Sequence, residues 1–183
     1  RDDIKTELPS IAAKGVASVK IFMAYKGTPL STEDEHLFEA LQLSKDAGVL
    51  VMVHAENGDA IAKLQQQAPS RGDTAPRFHA LTRPEPVEAE ATNRAIRLAE
   101  VAGAPILVVH VSCASALEAI HLAHERGQTV YAETCPQYFA FEYEDLAREG
   151  FEGAKYVCSP PLRDPSDRIG AILRRRVDPA RPA

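Results

Sequence analysis

Three side chains in this sequence are out of keeping with their neighbours. Lys20 lies in SVKIFMAY (18–25), His54 in VLVMVHAE (49–56) and His110 in PILVVHVS (105–112). A lysine or histidine among Val, Ile, Met and Leu is costly to bury unless it is paired, neutralised or bound to a metal. Taken singly, each reads equally well as a core polar group satisfied by one hydrogen bond. Three of them on separate apolar runs, each followed by a polar continuation (Tyr25; Glu56 and Asn57; Ser112), favour a convergent metal site. Imidazole is the common zinc ligand, and a hydrolytic site keeps one coordination position open for water. Two histidines are too few for such a site, and a lysine ammonium has no lone pair to offer.

The other histidines are weaker candidates. His121 and His124 stand three apart beside Glu118 and Glu125 and read as a solvated helix face; His36, on the first long amphipathic segment, is also expected to be exposed. His79 falls in a loop where it meets either substrate or solvent. The His-x-Glu at 54–56 lacks the Pro-Cys-x-x-Cys that zinc deamination requires, since TCPQY (134–138) does not supply it.

The elements that must position these residues alternate. The three apolar runs and TVYAET (129–134) read as buried strands. Between the first two, Thr32 and Glu35 predict a capping box, Leu37, Phe38 and Leu41 fall at helical spacing, and Gly48 predicts the stop. A second helix is expected from about Asn57 to Ala68, a long Pro- and Gly-broken loop over 69–84, a third helix over 85–102 ending at Gly103, and a fourth ending on Gly127. Strand–helix repetition predicts an α/β fold with a parallel sheet. It leaves open a doubly wound sheet or a closed barrel, but no glycine-rich phosphate loop follows any strand. In both, the working side chains belong at the carboxyl ends of the strands.

Composition narrows the class. The chain has 183 residues, 45% hydrophobic and 26% charged, which suits one ordinary globular domain. A net charge of -5 gives no electrostatic reason to expect nucleic acid or an anionic membrane as partner. No apolar run reaches membrane-spanning length, and no signal-peptide pattern opens the sequence. Cys113, Cys135 and Cys158 have no short paired spacing and are expected to be reduced thiols, so the expected compartment is the cytoplasm.

Longer stretches carry a resemblance. SVKIFMAYKG, VMVHAENGDAI, RPEPVEAEATNRAIRLAEVAGAPILVVHVSCASALEAI and ETCPQYFAFEYEDLAREGFEGAKYVCSPPLRD occur in order over about 15–164. They resemble consecutive segments of the D-hydantoinase and dihydropyrimidinase family of metal-dependent amidohydrolases. The resemblance implies part of a (β/α)8 TIM-like barrel, roughly strands four to seven, over 1–164, with a tail at 165–183 that departs from the family pattern. It implies hydrolysis of a cyclic amide, a hydantoin or dihydropyrimidine ring, to an N-carbamoyl amino acid. It also implies two divalent metal ions, zinc or manganese, bridged by a carbamylated Lys20, with His54 and His110 as ligands of the more exposed metal. Tyr25 resembles the tyrosine that binds the substrate carbonyl and stabilises the developing oxyanion, and Ser159 the serine whose backbone meets the amide edge. The loop at about 26–31 resembles one that shapes the pocket for the ring substituent. A small cyclic ureide partner and a homotetrameric assembly follow from the same resemblance.

Departures from the family matter as much. Its His-x-His pair occurs nowhere in 1–183, and neither does its strand-eight aspartate in an SDH-like context. The sequence is therefore expected to be an internal piece holding about half of the site, inactive in isolation. Competing readings are an inactive homologue with an assembly role, or a related dihydroorotase- or allantoinase-type hydrolase. FMAYKG and ETCPQYF fit hydantoinases better.

Overall fold

The computed structural model describes residues 4–166. Four parallel strands, β1 (Ser18–Phe22), β2 (Leu50–His54), β3 (Ile106–Val108) and β4 (Val130–Ala132), form one sheet in the order β1-β2-β3-β4. The helices are α1 (Ile4–Ala13), α2 (Asp34–Ala47), α3 (Gly58–Gln67), α4 (Phe78–Leu81), α5 (Glu85–Ala102), α6 (Ala114–Glu125) and α7 (Gln137–Ala140). Helix α1 packs on α2, α2 on α5 and α5 on α6, following the strand order. A doubly wound sheet reverses its strand order at a switch point and splits its helices between two faces. Neither feature occurs among the described residues, so the α/β layout is that of a barrel segment.

Strand pleating divides the side chains between two faces. Val51, Val53, Ile106, Val108 and Val130 point to the helix layer and are buried with Leu37, Leu41, Ala95, Ile96 and Ile120. Lys20, Met52, Leu107 and Tyr131 share one register row on the opposite face. That face is less covered: Met52 and Leu107 are half-buried, and Lys20 and Tyr131 are exposed.

Several expectations need correction. The strands end earlier than the apolar runs, because Tyr25 (φ 62) and His110 (φ 45) turn into the left-handed region and leave the ladder. Thr32 and Glu35 form no capping box. The Thr32 N–H bonds the Phe22 carbonyl at 2.9 Å, so the chain is still extended there and Glu33 becomes an N-cap without a side-chain bond. Gly48 and Gly103 do end their helices, at φ 67 and 63. The expected loop over 69–84 contains a 3-10 turn (Pro69–Arg71) and the one-turn α4. His36 is half-buried rather than exposed. The tail beyond Ser166 lies outside the described residues.

Candidate functional site

The carboxyl ends of β1, β2 and β3 bring the unusual side chains together. His54 ends β2 and is 1% exposed; its ring meets His110 edge-on with centroids 4.6 Å apart. Tyr25, three residues past β1, lies 5.3 Å from the His54 ring, and Phe22 lies 5.7 Å from both Tyr25 and His54. The Lys20 ammonium sits over the Phe22 ring, 5.2 Å from its centroid. Tyr25 and His110 hold a conformation that costs a non-glycine residue about 1–3 kcal/mol, a strain that collects at functional positions.

The loop after β1 is pinned on both sides. The Met23 N–H bonds the His54 carbonyl at 3.0 Å, and Phe22 makes a parallel bridge with Ser31. Val109 and Val111 donate to Val53 and Glu133 carbonyls at 3.2 and 2.8 Å, which fixes the backbone on either side of His110.

Electrostatics favour a neutral His110 imidazole and a protonated Tyr25 phenol. Burial pushes His110 down to about 3, and the neighbouring His54 and Lys20 lower it further. His54 Nε2 and Glu56 Oε2 are 2.7 Å apart, and Glu56 is fully buried. A carboxylate accepts, so Nε2 carries the proton and Nδ1 keeps the lone pair. Burial raises the Tyr25 phenol, and Glu56 adds to the rise; Arg83 and the nearby Ser159 side chain oppose it.

As a donor set, these residues fit part of a metal centre. Among the described residues no group of three or more His, Cys, Asp or Glu is placed to hold a metal ion. The candidates are therefore two imidazoles and Lys20. Both rings fit ligation, since His110 is neutral with a buried Nδ1 that has no hydrogen-bond partner, and His54 presents Nδ1.

Sequence reasoning missed Arg83, Glu88 and Arg163 behind this rim, and left His79 without a partner. Arg83 is 6% exposed, with Nε 4.0 Å from Glu56 Oε2 and Nη1 3.2 Å from His79 Nδ1. His79 Nε2 lies 2.8 Å from the Cys158 carbonyl and 3.2 Å from Ser159 Oγ. His79, expected to meet substrate or solvent, is half-buried and hydrogen-bonded within the protein instead of turned wholly to solvent. A second buried network holds the segment after His110: Glu88 accepts from the Ser112 N–H (2.8 Å), from the Ser112 hydroxyl and from Arg163 Nη2 (2.6 Å). The available signal was Glu88 itself, an acid on the helix stripe made by Val87, Ala91 and Ala95. Of the remaining histidines, His121 lies 3.2 Å from Glu125, while His124 bonds the Val130 carbonyl at 2.6 Å.

The fold is α/β, and this cluster lies at the carboxyl ends of its parallel strands. No family model matches the chain. It is 51% identical over 164 residues to a D-hydantoinase of Geobacillus stearothermophilus, covering 89% of this chain and 35% of that protein. It is 49% identical over 168 residues to a D-hydantoinase of Streptomyces coelicolor, covering 92% and 36%. A solved dihydropyrimidinase from Brevibacillus agri superposes with a TM-score of 0.89 at 49% identity, over 92% of this chain and 36% of that one. The chain spans little more than a third of the length of the relatives it matches. Over that stretch it belongs to the D-hydantoinase and dihydropyrimidinase family. Among the described residues, no helix is long and apolar enough to cross a membrane.

Proposed function

We propose that a protein carrying this segment opens the ring amide of hydantoins or dihydropyrimidines to N-carbamoyl amino acids. The four strands then correspond to strands four to seven of a (β/α)8 barrel. The observation that carries the reading is the meeting of His54, His110 and Tyr25 at the strand ends, with Lys20 on the same face. Lys20 as its carbamate, His54 through Nδ1 and His110 would hold the divalent cations, zinc or manganese. Bound there, such cations supply Lewis acidity toward the ring carbonyl and toward water. The chain's own contribution is positional and protonic. Glu56 fixes the His54 tautomer, and the half-buried Tyr25 phenol keeps its proton and donates to the carbonyl oxygen as negative charge grows there. Ser159 borders the amide edge, and residues 26–31 border the ring substituent.

A segment exchange tests this. Residues 15–164 replace their counterpart in the Geobacillus relative. The expected chimera retains bound metal and forms N-carbamoyl product, and Lys20→Ala removes both. A folded, metal-loaded chimera that leaves hydantoin and dihydropyrimidine rings intact refutes the reading.

A further inference from the structure

Helix α6 begins without a cap of its own. Its N-cap residue, Cys113, makes no side-chain bond to the first turn. A helix start leaves several N–H groups without an intrahelical acceptor, and here acceptors come from another helix. Glu85 and Glu88 both lie in the first turn of α5, three residues apart. Glu85 Oε1 accepts from the Ser115 N–H at 3.1 Å, and Glu88 Oε1 accepts from the Ser112 N–H at 2.8 Å. The second Glu88 oxygen accepts from the Ser112 hydroxyl and from Arg163 Nη2. Arg163 Nε also donates to Ser112 Oγ at 3.0 Å, which closes a ring of three side chains.

This clamp stands two residues past His110, whose φ of 45 lies in the left-handed region. A non-glycine residue keeps such a backbone only where its surroundings over-determine it. Upstream, the Val109 N–H is held by the Val53 carbonyl at 3.2 Å. Downstream, the Val111 N–H donates to the Glu133 carbonyl at 2.8 Å, and the Val111 carbonyl accepts from Thr134 Oγ1 at 2.7 Å. Ser112 has left the sheet, and Glu88 takes over where the ladder stops. Stability alone gives no reason for a carboxylate there. Glu88 is 2% exposed on the stripe of Val87, Ala91 and Ala95, and exchanging a buried ion pair for apolar groups of similar volume often leaves stability unchanged. We infer that Glu88, locked by Arg163, is a positioning residue that fixes the chain after His110 and so aims its imidazole at His54.

The inference rests on the proposed role of His110 as a metal ligand, but its test does not use turnover. The full chain, labelled with 13C and 15N at histidine, is read by NMR for the cross-peak between the His54 and His110 rings, whose centroids are 4.6 Å apart. His110→Asn assigns that peak by its loss. Glu88→Gln loses the charge pair but keeps an oxygen for the Ser112 N–H, so it should melt lower with the cross-peak retained. Glu88→Met combined with Arg163→Met removes both charges and the acceptor, so it should melt no lower than Glu88→Gln but lose the cross-peak. Ile120→Val, a core change in α6 that leaves the clamp whole, should keep it. A cross-peak that survives in the double methionine variant overturns the inference, as does one lost from Glu88→Gln or Ile120→Val. A double variant that is unfolded or melts below Glu88→Gln also overturns it, because the pair is then accounted for by stability. Failure of the hydantoinase reading appears separately, as an inactive chimera whose cross-peak is intact.

Discussion

Arg163→Met should be among the most damaging single substitutions in the chain, although Arg163 touches neither histidine of the metal cluster. Its guanidinium is 6% exposed and makes three short contacts: Glu88 Oε2 at 2.6 Å, Ser112 Oγ at 3.0 Å and the Arg83 carbonyl at 2.6 Å. Methionine fills much of the same volume but leaves the Glu88 carboxylate buried without its counter-charge and the Arg83 carbonyl without a donor. Removing one member of a buried pair costs about 3–5 kcal/mol. That is a large part of the roughly 5–15 kcal/mol that holds a domain together. The cost belongs to the stranded charge, so Arg163→Met with Glu88→Gln should recover about 1–3 kcal/mol of the loss. Arg163→Lys, which keeps the charge but loses the fork, should fall between. Urea unfolding followed by far-UV circular dichroism reads all four proteins on one scale. The reasoning fails if Arg163→Met costs less than about 1 kcal/mol, or if the double variant is no more stable than the single.

Other outcomes are expected from the same structure. Gly58→Ala places a Cβ 2.8 Å from the Met23 carbonyl oxygen, a backbone atom that cannot swing away, so about 1–3 kcal/mol of stability should be lost and the Tyr25 NMR signals displaced. Unchanged melting and unchanged Tyr25 signals would contradict this. The folded ring of His79 titrates below the 6.5 of the free side chain, so below that pH the unfolded chain takes up a proton that the folded chain refuses. Stability should therefore fall as pH drops from 6.5 toward the lowered folded value, and His79→Gln should flatten that slope; equal slopes in both proteins refute the link. The 183-residue chain alone, given zinc or manganese and bicarbonate, should form no N-carbamoyl product. Metal-dependent turnover abolished by Lys20→Ala would mean that the residues present suffice.

Much of the fold was legible because its signals are local. Apolar runs marked the strands, and Gly48 and Gly103 marked helix ends by their left-handed backbone. Helix α1 was not legible: Pro9 sits inside it, and its packing comes from a partner elsewhere in the chain, α2, with Lys5 bonded to Glu39 at 2.9 Å. The capping box failed for a related reason. Thr32 has the right spacing to Glu35, but its N–H is taken by Phe22 across the sheet, and a tertiary bond outranks a local motif.

The candidate site divides in the same way. Lys20, His54 and His110 stood out because each breaks an apolar run, a contrast visible within a few residues. His79 and Arg83 lie in a polar stretch where nothing marks them, and their burial is created by residues 158–163 folding over the strand ends. Glu56 was visible only as a polar continuation of β2, yet it is fully buried and holds His54 on one side with Arg83 4.0 Å away on the other. The residues that would touch metal or substrate are thus the ones that violate local pattern. The residues that orient them look ordinary in sequence because their partners come from distant segments. A row of polar groups, Glu56 with Arg83 4.0 Å away, then His79 and Ser159, lies behind the rim. Substitutions along that row should disturb the rim, whereas substitutions on the exposed Arg97–Glu100 pair should leave it alone.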